Sequence, residues 1–366
     1  MQRKKGMVYV KRVIRFLNII LVLFLITINN SRAQAGFNIY LVGDAGDHTY
    51  TAETLSNLQK ELIQHPNSAV IFLGDNCYKD ILWGIIPFGF KGFDSSRNTQ
   101  LKLKAQLNIL NNFKGSAFFT PGNHDWWNRT TYRKGKDKLF MEESFIEKSL
   151  SANTSISNPG NVFLPANGEY GPVYVELNNR TIRLVFMDTY RIIQTGIRKS
   201  PVPDEEKTVY SRLDSILRDG YALKQKIVIV AHHPVYAKGP YAQPLKSPGL
   251  FKRIKASNMN FPSYQAMSDQ MNQVLRKYPG VYYASGHVHA LQYFYTRDRI
   301  HYIVSGAGSK VNKLSEKEIT RYASDLPNEY LYWNTGGFVE IQFNGLSERH
   351  FIYYHDGEMK CSPDPD

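Results

Sequence analysis

The chain has 366 residues, 42% of them hydrophobic and 21% charged, with a formal charge of +13 at pH 7. This length supplies ample material for a buried core, while two cysteines, Cys77 and Cys361, are too few for a disulfide scaffold. Arg3, Lys4, Lys5, Lys11, Arg12, Arg15 and Arg32 precede every acid and leave only +6 for the remainder, a mildly cationic surface suited to anionic substrates, with no nucleic-acid partner expected.

Residues 1–35 combine a basic start, an apolar stretch from Ile19 to Ile26, a polar patch at Asn29-Asn30-Ser31 and the small-residue pattern Ala33-Gln34-Ala35. This reads as a signal peptide and predicts export to a periplasmic or extracellular location. The alternative is an uncleaved membrane anchor, because Val13, Ile14, Phe16 and Leu17 extend the apolar run. Residues 36–366 are expected to form one α/β domain with a β-rich C-terminal portion.

Phe37 to Val42 is predicted as a buried strand, Thr51 to His65 as a helix through Leu55, Leu58, Leu62 and Ile63, and Ala69 to Leu73 as the next strand. Such a unit sets Asp44 and Asp75 at the same edge of a parallel sheet. Asp80 to Asp94 reads as a loop near that edge, Thr99 to Phe113 as a helix, Ser116 to Thr120 as a strand and Lys136 to Leu150 as a helix. Val173 to Leu177 and Ile182 to Met187 are strand candidates for a second sheet. A charged helix from Asp204 to Arg218 leads into Lys226 to Ala231, whose Ile-Val-Ile-Val core is the clearest buried strand. Pro234 to Pro262 resembles a long surface loop, followed by a helix over Ser263 to Tyr278 and a strand over Val281 to Ala284. Ile300 to Val304, Phe338 to Phe343 and Glu348 to Tyr354 complete the β-rich tail.

Five polar clusters follow strand-like runs: Gly43-Asp44-Ala45-Gly46, Gly74-Asp75-Asn76-Cys77-Tyr78, Gly122-Asn123-His124-Asp125, Ala231-His232-His233-Pro234 and Gly286-His287-Val288-His289. Open α/β sheets bind ligands outside the carboxyl ends of their strands, so the clusters can converge on one crevice. Their carboxylate, amide and imidazole donors suit borderline or hard metals. Cys77 reads as a small buried residue, Asp188 as structural, and Asp125 as either an orienter of His124 or a loop cap. Trp126, Trp127 and Tyr132 serve equally well as cleft walls or core. No Cys-x-x-Cys, dinucleotide-binding turn, Walker loop or Gly-x-Ser-x-Gly elbow is present.

The order of motifs from Asp44 to His289 resembles the calcineurin-like metallophosphoesterases and, within them, the purple acid phosphatase branch. The first motif of that superfamily commonly reads Asp-x-His, whereas this chain has Asp44-Ala45-Gly46 and carries Tyr78 three residues after Asp75. The resemblance implies a four-layer α/β/β/α sandwich with a dinuclear metal site at strand ends. It assigns Asp44, Tyr78 and His289 to one metal, Asn123, His232 and His287 to the other, and Asp75 to both. His232 fits the family's His-x-Pro placement, with His233 beside it, and His124 takes the catalytic position. The implied activity is hydrolysis of phosphate monoesters by a metal-bound hydroxide or water. A phosphodiesterase or nucleotide pyrophosphatase is the alternative enzyme, and a catalytically silent metal or ligand-binding protein the alternative of another class. A phenolate ligand favours Fe(III), with Zn(II), Fe(II) or Mn(II) as its neighbour. A trivalent and a divalent ion together exceed the negative charges of Asp44, Asp75, phenolate and hydroxide by one, which attracts a phosphorylated substrate; two divalent ions with Tyr78 a neutral phenol outside the coordination shell leave the same excess.

Overall fold

Strand β1 (Phe37–Val42) is buried along its whole length, and successive side chains enter different cores. Ile39 and Leu41 join one cluster, while Tyr40 and Val42 join another, as the two-residue period of a strand demands. A strand with both faces covered lies inside a layered structure. The computed structural model describes residues 36–47, 51–78, 97–126, 132–152, 155–197, 204–239, 258–318, 330–344, 347–354 and 359–361.

The first sheet has the order β13-β12-β11-β1-β2-β3, in which β2 is Ser68–Phe72, β3 Ser116–Phe119, β11 Gly337–Asn344, β12 Ser347–Tyr354 and β13 Met359–Cys361. β1, β2 and β3 run parallel, with Val42 opposite Phe72 and Phe72 opposite Phe119. Their carboxyl ends therefore finish level. The second sheet has the order β10-β8-β9-β7-β6-β5-β4. Here β4 is Val173–Leu177, β5 Ile182–Met187, β6 Lys226–Ala231, β7 Tyr282–Ser285, β8 Leu291–Tyr295, β9 His301–Ser305 and β10 Tyr330–Trp333. β5, β6, β7 and β9 are parallel, and Val230 lies opposite Ala284, so the polar ends of β6 and β7 also emerge side by side.

Three apolar clusters define the layers. Between the sheets lie Ile39, Leu41, Ile71 and Phe118 from the first, with Phe186, Val228, Val230 and Ile303 from the second. The outer face of the first sheet packs on helices α1 (Thr51–Gln64), α2 (Arg97–Asn108) and α3 (Tyr132–Ser151) through Leu58, Leu103 and Ile146. The outer face of the second packs on α4 (Thr189–Ile197), α5 (Asp204–Ala222) and α6 (Pro262–Leu275) through Ile193, Leu213 and Met271. This is the expected α/β/β/α sandwich, held by burial of apolar faces on both sides of each sheet.

The predicted elements are present, several with the expected bounds and most others with ends shifted by at most four residues. The helix expected to reach Phe113 ends at Asn108 and passes through turns. Helix α4 and strands β8, β10 and β13 had no sequence assignment. Helix α4 spans only nine residues, and β8, β10 and β13 take their place from pairing with β9, β8 and β12. The β-rich tail serves both sheets, since β11 to β13 extend the first and β8 to β10 the second. Among the described residues no helix is long and apolar enough to cross a membrane. Residues 1–35, the loop from Asp80 to Asp94, most of Pro234 to Pro262 and the Cys361 side chain lie outside the described residues.

Candidate metal centre

Where the polar clusters emerge, backbone hydrogen bonds tie the strand ends to one another within each sheet and, at Gly43 and Ser305, between the sheets. Gly43 N donates to Ser305 O at 2.7 Å, Asp44 N to Gly74 O at 2.9 Å, Thr120 N to Phe72 O at 2.9 Å and Gly286 N to His232 O at 3.0 Å. Such close approach requires bare backbone: a Cβ on Gly286 would lie 2.7 Å from Asp44 Oδ2. Asp44, Asp75 and His287 adopt positive φ values of 57°, 51° and 66°, a left-handed conformation that costs free energy in non-glycine residues. Strain at three converging polar positions marks a site whose geometry the surrounding fold imposes.

Every candidate donor arrives at this seam. Tyr78 donates its hydroxyl to Asp44 Oδ1 at 2.7 Å and lies 3.2 Å from His289 Nε2, which is itself 3.4 Å from Asp44 Oδ1. Asn123 Oδ1 lies 3.1 Å from His232 Nε2 and 2.9 Å from His287 Nδ1. Asp75 stands between these groups, with Oδ1 3.4 Å from His232 Nε2 and Oδ2 3.9 Å from His124 Nε2. Ligand atoms of Asp44, Asp75 and His232 fall within 4.8 Å of one another, as do those of His232, His233 and His287. His232 is common to both groups. His233 lies behind, with Nδ1 3.0 Å from Thr189 Oγ1 and its ring centroid 4.4 Å from that of His287.

The donors fit a pair of cations. His232 Nδ1 is 2.8 Å from Leu73 O, a contact that makes Nδ1 the donor and turns the Nε2 lone pair toward Asp75 and Asn123. Asp44 Oδ2 accepts the His287 backbone N–H at 2.7 Å, and Asp75 Oδ1 accepts that of His124 at 2.7 Å, which holds both carboxylates in place. Burial opposes charge on His232, but Asp75 and Asp44 outweigh it and lift the imidazolium to about 9. Burial would raise the Asp75 carboxyl, yet His232 and His124 hold it well below the usual range. Tyr78 is pushed well above an ordinary phenol by burial and by the Asp44 and Asp75 carboxylates. The site therefore attracts positive charge, and protons on His232 and Tyr78 occupy lone pairs that cations would take by displacing them.

Several supporting residues had no motif to reveal them. From α2, Lys102 Nζ donates to Tyr78 O at 2.6 Å, Gln106 Nε2 to Asn76 O at 2.7 Å, and Cys77 Sγ to Thr99 O at 3.8 Å. A buried helix thus fixes the backbone from Asn76 to Tyr78. Asp125 acts as the loop cap, accepting from Gly122 N at 2.7 Å, Cys77 N at 3.2 Å and Asn76 Nδ2 at 3.2 Å. Burial and the neighbouring Glu142 raise its carboxyl well above normal, and burial raises Glu142 to about 8. Asp188 is structural, accepting from Trp126 Nε1 at 2.5 Å and from Arg191 N at 3.0 Å at the start of α4. Trp126 is buried, while the Trp127 and Tyr132 side chains lie outside the described residues. Cys77 is the small buried residue its context suggested.

The packing around Gly46 leaves no room for the imidazole of the commoner first motif. Gly46 N donates to Asp75 O at 3.2 Å, and Tyr78 N donates to Gly46 O at 3.0 Å. A Cβ on Gly46 would lie 2.5 Å from both Asn76 C and Cys77 N, so no side chain fits there. Tyr78 supplies its hydroxyl to Asp44 from the neighbouring loop instead.

A family model described as calcineurin-like phosphoesterase matches residues 37–291. Curated proteins give no significant match. Among solved structures, GAP50, described as the anchor in the inner membrane complex of Plasmodium, is 14% identical with a TM-score of 0.53, covering 90% of each chain. PhoD is 12% identical with a TM-score of 0.52, covering 90% of this chain and 72% of its own. A dimetal phosphatase from Danio rerio is 13% identical with a TM-score of 0.49, covering 89% of this chain and 98% of its own. At these identities the first two likenesses speak for the fold alone.

Proposed function

The chain belongs to the calcineurin-like phosphoesterase family, and from that premise we propose an exported, acid phosphatase-like enzyme that hydrolyses phosphate monoesters. The observation that carries the reading is the company of His124. Its imidazole is 31% exposed, within reach of a substrate, while the Asp75 carboxylate 3.9 Å away is buried. A fold likeness alone would not favour catalysis, since one structural neighbour is described as an anchor. A part-exposed imidazole beside converging metal donors does favour it.

Asp44, Tyr78 and His289 would hold one cation, Asn123, His232 and His287 the other, and Asp75 both. Bound there, two cations supply Lewis-acid polarisation of the phosphoryl oxygens and a water acidic enough to ionise near neutrality. The chain's own residues do the rest. Asp44 and Asp75 keep the centre rigid through the backbone N–H groups of His287 and His124. His124 donates a proton to the departing alcohol. Desolvation lowers its imidazole, against the pull of Asp75 and with help from Lys310.

The purple branch is supported by Tyr78 standing with Asp44 and His289, one phenol, one carboxylate and one imidazole together. Fe(III) with Zn(II), Fe(II) or Mn(II) follows from the acidity a phenolate ligand requires. Residues 1–35 carry the export reading, with a membrane anchor as its alternative, and a small phosphorylated molecule is the partner.

The test is a panel of phosphate esters offered to protein loaded with iron and zinc. A monoester should turn over faster than its matched diester, and His124→Ala should keep both metals and lose turnover. A metal-loaded wild-type protein that hydrolyses no phosphate ester would overturn the enzyme reading. A preference for the diester would instead favour the phosphodiesterase.

A further inference from the structure

We propose that Lys310 anchors the substrate's phosphate and gives the centre its preference for doubly charged monoesters over singly charged diesters, an inference that rests on the phosphatase reading above. Lys310 belongs to none of the five clusters. It ends the segment Gly306-Ala307-Gly308-Ser309-Lys310, which leaves β9 at the same seam. Gly308 N donates to Gly43 O at 3.1 Å, and Ser309 Oγ donates to the Asp44 carbonyl. Asn312 N donates to His289 O at 2.6 Å. The segment is thus bound at both ends to residues of the centre.

Lys310 Nζ lies 3.6 Å from the centroid of the Tyr78 ring. The His124 ring centroid is 4.5 Å from the same centroid. Tyr78 is only 4% exposed, whereas the Lys310 and His124 side chains are 33% and 31% exposed. The lysine and the histidine therefore share the cover of the phenol and form the solvent-facing rim beside the metal donors. The ammonium is paired with Asp47 Oδ2 at 2.8 Å, on the loop that carries Asp44. An ammonium has three N–H donors; Asp47 and the Tyr78 face engage it from two directions, and a third can meet a phosphate oxygen.

Charge supplies the selectivity. A monoester with a second pKa near ~6 carries almost two negative charges at pH 7 and a diester one, so the charge preference is read at pH 7 and fades as the monoester protonates at acid pH. A fixed cation at the rim gains more from the former. The pair with Asp47 holds the ammonium on the ring when no phosphate is present and competes with phosphate for it.

Calorimetric titration of metal-loaded protein with inorganic phosphate tests the assignment, alongside KM for a monoester and its matched diester. Lys310→Ala should weaken phosphate binding about tenfold, the scale of one charge-assisted hydrogen bond, and raise KM for the monoester more than for the diester. Lys310→Arg should restore most of the affinity, and Lys310→Gln serves where the alanine variant lowers metal content. Asp47→Asn should leave phosphate affinity intact or tighten it, because the competing carboxylate is gone. A lysine that merely tied two loops together would make the Lys310 and Asp47 variants fail alike, and that result overturns the proposal. So does wild-type phosphate affinity in Lys310→Gln with full metal content. Lys310-dependent phosphate binding in a protein that hydrolyses no ester would keep the anchor and reject the phosphatase.

Discussion

Asp75→Asn exchanges a buried charge for a neutral group of the same shape. In protein stripped of metal by a chelator, Asp75 is the leading attraction that lifts His232 from 6.5 to about 9. A base whose pKa is raised by folding stabilises the fold fully below its unfolded value, and that contribution disappears as pH climbs through the folded value. The window therefore runs from 6.5 to about 9, and the shift corresponds to about 3 kcal/mol across it. In the variant the burial penalty on His232 loses its main opponent, so the imidazole stays neutral throughout the window. Glu142 and Asp188 also titrate near this range, which makes the difference between the two proteins the quantity to read. Urea unfolding at pH 6.5 and 9.5 should show wild-type protein losing about 3 kcal/mol more than Asp75→Asn. Equal losses would mean that Asp75 and His232 do not share a charge, and the converging donor set would fall with that pairing. Elemental analysis of reloaded protein adds an independent reading, since the variant should lose occupancy at both metals.

Tyr78→Phe removes the hydroxyl that reaches Asp44 at 2.7 Å, which should cost about 1 kcal/mol while leaving the circular dichroism spectrum unchanged. In iron-loaded protein it should abolish any visible phenolate-to-iron absorption, and a band that persisted in the variant would remove Tyr78 from the ligands. Gly46→Ala presses a methyl group into the backbone of Asn76 and Cys77 and should cost about 1–3 kcal/mol together with metal affinity. An unchanged denaturation midpoint would show that the two loops part without penalty. Glu142→Gln tests the buried carboxyl that burial raises from 4.5 to about 8. An acid raised by folding loses stability as pH climbs from 4.5 to about 8, so thermal melts at pH 5 and 8.5 should show a shallower decline in the amide variant. A steeper decline would contradict a protonated Glu142.

Strands such as Phe37–Val42 and Ile182–Met187 were legible as apolar runs, while their four-layer α/β/β/α arrangement was what the family resemblance implied; in the structure, parity along each strand decides which core a residue enters. The candidate donors were legible for a similar reason. Asp44, Asp75, Asn123, His232 and His287 each follow a strand end, and strand ends of parallel sheets meet in space. Periodicity and ligand chemistry are both written into a few consecutive residues. Lys102, Gln106, Glu142 and Lys310 have no such local mark, since any helix or loop carries residues of these kinds. Tertiary structure alone made α2 cross beneath Asn76–Tyr78, inserted β9 between β7 and β8, and brought Lys310 over the Tyr78 ring. It also decided that Asp125 accepts from Asn76 and Cys77 and that Gly46 leaves no room for a side chain. Those outcomes depend on contacts between residues tens to hundreds of positions apart, and the energy of such a contact belongs to the pair rather than to either residue's neighbours in sequence.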